Sequence, residues 1–95
     1  MIGLSPQNGL GYLGQGDALK GIGNYNAALS SYSKAIELDE ASGMQGHMKR
    51  GILYLQMKYF EFALDDFTKI AEKDENNSKA FFYKGKALKK LSKRS

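Results

Sequence analysis

The chain contains no cysteine and a single histidine, and proline occurs once, at Pro6. Without cysteine there can be no disulfide framework, thiolate metal site or cysteine nucleophile. His47 has no second histidine to join it in a metal or acid–base constellation, and no nucleophile–base arrangement stands out elsewhere, so neither an enzyme nor a metal or cofactor site is expected. No apolar run approaches the ~20 residues of a membrane-spanning helix, so no membrane association is expected. The first eleven residues lack a basic stretch followed by an apolar one, which argues against a secretory signal. Asn76-Asn77-Ser78 fits a glycosylation pattern but is read as incidental in that setting, and the cytoplasm is the expected compartment.

Acidic residues are missing from one region only. Residues 1–75 carry seven Lys or Arg against ten Asp or Glu, whereas residues 76–95 carry seven Lys or Arg and no acid. The net charge of +4 therefore joins a mildly acidic body to a basic end, which is either a solvated helix face or a contact for an acidic partner. Glycine is uneven too. Seven of eleven lie within residues 1–23. Each interior glycine costs a helix roughly 0.5–1 kcal/mol relative to alanine, so the first helix should be the softest. Residues 1–8, with Ser5-Pro6, read as a flexible leader.

What the chain does have is a period. Gly51 and Gly85 are 34 residues apart, and Gly16 precedes Gly51 by 35. Ala28 and Ala63 are 35 apart, as are Tyr32 and Phe67. A ring stands four residues before each glycine, at Tyr12, His47 and Phe81, and a large apolar residue three after it, at Leu19, Tyr54 and Leu88. The unit is thus about 34 residues, with one extra near Ser42-Gly43. Within it the apolar spacing is helical: Tyr25, Ala28, Leu29, Tyr32, Ala35 and Ile36 recur as Phe60, Ala63, Leu64, Phe67, Ile70 and Ala71. Gly23-Asn24, residues 39–43 and residues 74–78 are the breakers, with Ser78 as a candidate N-cap. Five helices are predicted, at 9–21, 25–38, 44–57, 60–73 and 78–91, followed by a basic tail at 92–95. The small residues Gly16, Gly51, Gly85, Ala28 and Ala63 should let the two helices of a hairpin approach closely. The rings should fill the gaps between hairpins, and stacking should supply the stability.

These residues resemble the tetratricopeptide repeat. The first copy reads GYLGQGDALKGIGNYNAALSSYSKAIELDE, the second HMKRGILYLQMKYFEFALDDFTKIAEKDE, and the third, one helix long, NSKAFFYKGKALKKL. The resemblance covers residues 9–91 as repeats 9–42 and 44–77 and a half repeat 78–91. It departs from the family pattern at Gln15, Arg50 and Lys84, where leucine is usual, and at Glu40 and Glu75, where proline is usual. It implies an all-α fold, a right-handed superhelix of antiparallel helix hairpins. It also implies a protein-interaction scaffold that holds a peptide or protein segment on the concave face, co-chaperone-like or part of a longer repeat array. Carried over by position, that face includes Leu13 and Asp17 from the first repeat, Met48, Lys49 and Ile52 from the second, and Lys79, Phe82, Tyr83 and Lys86 from the third. Such a surface suits a segment with apolar anchors and acidic groups.

Chaperone adaptors of this family grip an acidic C-terminal peptide with five polar side chains. The matching positions are Leu13, Asp17, Lys49, Lys79 and Tyr83, of which only Lys79 agrees, so that clamp is not expected. Gly9-Leu10-Gly11-Tyr12-Leu13-Gly14 matches a dinucleotide fingerprint but lacks the strand and βαβ setting that the fingerprint needs. Asp65-Asp66 reads as solvated surface. The alternative function is nucleic-acid binding through the lysine-rich last helix, with Phe81, Phe82 and Tyr83 as stacking rings. A burial expected for Phe81 and the acidic body count against it. The open face of that helix, covered by lysine stems, predicts a monomer or a weak dimer through the C-terminal end, tightening as salt screens the charges.

Overall fold

The computed structural model describes residues 9–38 and 40–93; the leader expected at 1–8 lies outside them, as do Asp39, Arg94 and Ser95. The described residues form five α-helices and no strand. They are α1 (Gly9–Gly21), α2 (Tyr25–Leu38), α3 (Glu40–Gln56), α4 (Phe60–Lys73) and α5 (Ser78–Ser92). The helix α3 begins inside the stretch expected to be a polar connection. Glu40 and Ala41 are good helix formers, and the first turns of α3 bury Ser42, Gly43 and Gly46. A Cβ on Gly46 would lie 2.7 Å from Ile36 Cγ1, so glycine here admits a close approach to α2 rather than ending the helix.

The chain divides into two compact units, residues 1–46 and 47–95. In the first, α1 packs on α2. Gly16 is the point of closest approach, because a Cβ there would stand 2.5 Å from Tyr32 Cε1. Leu13, Ala28, Tyr32 and Ala35 form the core. The Tyr32 hydroxyl donates to Asp17 Oδ1 at 2.6 Å. Burial first, then the hydrogen bond and charge of Asp17, push this phenol above its ordinary value of 10.0. The folded chain therefore holds the proton to higher pH than the unfolded one. The stability from this contact is complete below pH 10 and is lost as pH rises through that value toward the folded one. Denaturant midpoints measured across that range should fall more steeply for the parent than for Tyr32→Phe.

In the second unit the later part of α3 lies against α4 at Gly51, where a Cβ would be 2.8 Å from Phe67 Cε1 and Cζ. The helices α4 and α5 also pack together. Leu53, Ala63, Phe67, Ile70, Ala80 and Ala87 are buried.

The two turns within the hairpins close in the same way. Asn24 N–H bonds to Leu19 O, and Tyr59 N–H, 35 residues on, bonds to Tyr54 O. The residue preceding each is left-handed: Gly23 at φ 86° and Lys58 at φ 69°. Glycine meets that requirement without strain, whereas lysine does not. At the start of α5 the cap is Asn77, not the expected Ser78: Asn77 Oδ1 accepts from Ala80 N–H at 3.0 Å. Asparagine caps as well as serine does, and the extended backbone of Asn77 places its amide over the first turn.

Candidate functional site

The residues assigned to a partner surface separate into several environments. Leu13 is only 3% exposed and belongs to the core of the first unit, so it offers nothing to a partner. Asp17 is exposed on α1, with one carboxylate oxygen engaged by Tyr32. In the second unit, Met48, Lys49 and Ile52 lie half-buried on α3. Their spacing of i, i+1 and i+4 puts them on adjoining parts of one helix face.

On α5 three of the remaining four, Phe82, Tyr83 and Lys86, are joined through ring contacts. Phe67, fully buried on α4, stacks on Tyr83 with centroids 5.3 Å apart and planes 18° from parallel. Tyr83 meets Phe82 edge to face at 5.2 Å. Lys86 Nζ stands 5.4 Å from the Phe82 centroid, over the ring. Phe82 itself is 60% exposed, and Lys79 and Lys86 are exposed. A solvent-facing ring is thus held in place by a stack rooted in the core, and the Lys86 cation stands over it. Edge-to-face and offset ring pairs add about 0.5–1.5 kcal/mol beyond burial. Phe82 therefore loses less freedom on binding than an isolated surface ring would.

Three expectations change in the second unit. Asp66, expected to be solvated, is 1% exposed. It accepts from Arg50 Nε at 3.0 Å and Nη2 at 2.7 Å, and lies 2.7 Å from His47 Nδ1. Although burial alone would lower it, the Arg50 guanidinium is held above its ordinary value, by its hydrogen bond to Asp66 and the Asp66 charge. His47 is therefore packed at its ring position, as its place in the repeat implies, but it also serves a buried carboxylate. Phe81, expected to dock on the hairpin, is 48% exposed, and Leu88 is 49% exposed. Ala80, Ala87 and Tyr83 occupy the side of α5 toward α4 instead. Gly85, expected at a close helix contact, has no atom of the described residues within 4 Å of where a Cβ would stand, apart from its own helix and chain neighbours.

One further feature was not anticipated. Tyr54, Tyr59 and Phe62 form a ring cluster, with centroids 5.3–6.3 Å apart and the Arg50 guanidinium 5.8 Å from the Tyr54 centroid. It braces the turn that carries the left-handed Lys58. The corresponding residues of the first unit are Leu19, Asn24 and Ala27, so the repeat as such does not call for these rings. The near adjacency of three rings at 54, 59 and 62 was the only signal for it.

Helix hairpins in which a glycine of the first helix receives a ring of the second, recurring at 35 residues, define a helical-hairpin repeat protein. Comparison with known proteins makes this specific. The chain is 38% identical over 68 residues to a tetratricopeptide repeat and J domain-containing co-chaperone of Cryptococcus neoformans, a match covering 72% of this chain and 13% of that protein. It is 37% identical over 68 residues to a TPR repeat-containing protein of Methanocaldococcus jannaschii, covering 72% of this chain and 20% of the relative. It is 41% identical over 66 residues to a UDP-N-acetylglucosamine–peptide N-acetylglucosaminyltransferase of Giardia intestinalis, covering 70% of this chain and 4% of the enzyme. No protein-family model matches the chain. The chain belongs to the tetratricopeptide repeat family. It spans between 4% and 20% of the length of these curated relatives. No helix among the described residues is long and apolar enough to cross a membrane.

Proposed function

We propose that the chain is a protein-interaction module that takes a peptide or protein segment on the second unit. The surface consists of Met48, Lys49 and Ile52 of α3 with Lys79, Phe82, Tyr83 and Lys86 of α5. The observation that carries this reading is the stack from Phe67 through Tyr83 to Phe82 and Lys86, an exposed apolar anchor already ordered and bordered by positive charge. Its chemistry fits a segment with an apolar side chain for Phe82 and carboxylates for Lys79 and Lys86. The likeness to a J domain-containing co-chaperone supports a role in holding other proteins.

A partner captured by pull-down and identified by mass spectrometry provides the test. Phe82→Ala with Lys79→Ala should weaken it by about 2 kcal/mol, the loss typical of a central ring at an interface, with helicity unchanged. Tyr83→Ala with Lys79→Ala should weaken it too, with a lower melting temperature because Phe67 loses its stacking neighbour. Asp65→Ala, on the exposed side of α4, should leave binding intact. Loss on Asp65→Ala, with binding retained by the α5 variants, would move the site to the other side of the unit.

A second reading gains from one observation. Phe81 is exposed, so the objection that it would be buried no longer weighs against nucleic-acid binding, and Phe81 and Phe82 both face solvent among lysines. Single-stranded binding of this kind stacks bases on rings and weakens steeply with salt. A titration of an oligonucleotide at two salt concentrations separates it from peptide binding. The peptide reading expects only weak oligonucleotide affinity.

A further inference from the structure

Two rings of the cluster at the second hairpin turn face water. Tyr59 and Phe62 are exposed, Phe62 at 59%, with centroids 6.1 Å apart and planes at 69°. Two exposed carboxylates lie beside them on α4. Phe62 and Asp65 are three residues apart, and Glu61 and Asp65 four, spacings that make neighbours on a helix surface. Residues 59–68 hold three acids and no lysine or arginine, and the third acid, Asp66, is taken by Arg50. Lys58 and Lys69 bound this stretch in the sequence. The hairpin itself does not require these side chains. The residues 35 positions earlier, Asn24, Asn26, Ala27 and Ser30, are neutral and bring no ring, yet α1 and α2 pack together without them. A patch of large rings left in water, where the fold has no use for it, points to a partner.

The same cluster shows what its rings and carboxylates can hold. The Arg50 guanidinium donates to both Asp66 oxygens, at 3.0 and 2.7 Å, and lies over the Tyr54 ring, 5.8 Å from its centroid. A guanidinium does both at once because its donors point outward in its plane while its faces stay free to lie on a ring. We infer that the outer side of the cluster, made by Tyr59, Glu61, Phe62 and Asp65, binds an arginine of a partner protein. Its guanidinium lies on Phe62 and donates to Asp65, as that of Arg50 lies on Tyr54 and donates to Asp66. Glu61 adds a second negative charge one turn before Asp65. Tyr59, steeply inclined to Phe62, gives the apolar stem of the arginine a second wall. Lysine suits the site less well, since its ammonium is a strongly hydrated point charge with no flat face to lay on a ring. The site shares no residue with the surface proposed on α3 and α5 and stands independently of it.

The probe is the capped peptide Gly-Arg-Gly-Arg-Gly, titrated into the isotope-labelled full chain and followed by amide chemical shifts. Its lysine and citrulline analogues serve as controls. Saturable shifts are expected at Tyr59, Glu61, Phe62 and Asp65, with arginine bound about threefold or more tighter than lysine and no saturation by citrulline, which keeps the planar group but not the charge. Phe62→Leu keeps apolar bulk and removes the ring, and should weaken the arginine peptide by about three- to fivefold. Phe62→Tyr keeps a ring and should bind as the parent does. Asp65→Ser should weaken the peptide by a similar factor. The triple variant Glu61→Asn, Phe62→Ala and Asp65→Ser, which installs the first unit's residues, should weaken it by about tenfold or more with helicity retained. Absence of saturable shifts in the parent overturns the inference, as do shifts as large at the acids of residues 72–75. Equal binding to the parent and Phe62→Leu would reduce the patch to apolar bulk and overturn it too. Lysine bound as tightly as arginine would make the lysine-rich α5 of a second copy an equally fit occupant and overturn the arginine assignment.

Discussion

Arg50→Gln should lower the stability of the chain by about 3 kcal/mol, the low end of the range for breaking a buried ion pair from one side. The reason lies in what stays behind. Asp66 is almost wholly buried and would keep only His47 as a partner. A carboxylate left with that single partner has lost its hydration and recovers too little of it in hydrogen bonds. For a domain of this size, with total stability of roughly 5–15 kcal/mol, that is a large fraction. The remedy is written in the first unit, where the positions of Arg50 and Asp66 are held by Gln15 and Ser31, a neutral pair. The double variant Arg50→Gln with Asp66→Ser should therefore recover more than half of the loss, because replacing both partners also removes the buried charge that had lost its guanidinium. Urea denaturation of the parent, both single variants and the double variant measures the coupling. A double variant no more stable than Arg50→Gln alone would mean that the stability of α3 against α4 does not run through this pair.

The second large effect is steric. Gly51→Leu should cost about 3 kcal/mol or more, at or above the top of the usual range for overpacking. Its Cβ alone would fall 2.8 Å from two atoms of the Phe67 ring and 3.2 Å from Asp66 Cβ, and the remaining carbons have nowhere to go without parting α3 from α4. Phe67 cannot yield easily, since it is fully buried and stacked on Tyr83. Lys58→Ala, on the exposed turn, should change stability by no more than ~0.5 kcal/mol. Thermal melts of the two variants give the comparison, and equal melting temperatures would mean that Gly51 is not a point of close helix approach. The three repeat glycines are thus alike in sequence and unlike in consequence. A Cβ is resisted by a ring at Gly16 and Gly51, yet at Gly85 it meets nothing among the described residues.

The repeat, the five helices and most of their limits were legible in the sequence alone. The reason is that these depend on local chemistry. Apolar residues at helical spacing, breakers at Gly23-Asn24 and at residues 74–78, and a ring-and-glycine pattern recurring at 34 to 35 residues are all features of the chain itself. Gly16 and Gly51 were correctly read as points of close approach because the repeat supplies their ring partners at fixed spacing, and Ala28 and Ala63 are buried.

What only the tertiary structure decided was the surroundings of single side chains. Asp66 is one of two adjacent aspartates, and the one-residue difference between it and Asp65 is a turn of 100° on the helix. This puts Asp66 under Arg50 and His47 and leaves Asp65 in water. The start of α3 turned on whether Gly43 and Gly46 meet a neighbour, and Ile36 is that neighbour. Leu13 became core, while Phe81 and Leu88 became surface, because burial is set by which helix lies alongside: α2 covers the glycine face of α1, whereas α4 meets α5 on the side of Ala80, Tyr83 and Ala87. Sequence spacing shows which residues share a face. Whether that face is covered, and by what charge, is a property of the neighbouring helix, and that is why the surroundings of the α5 side chains emerged only from the packed structure.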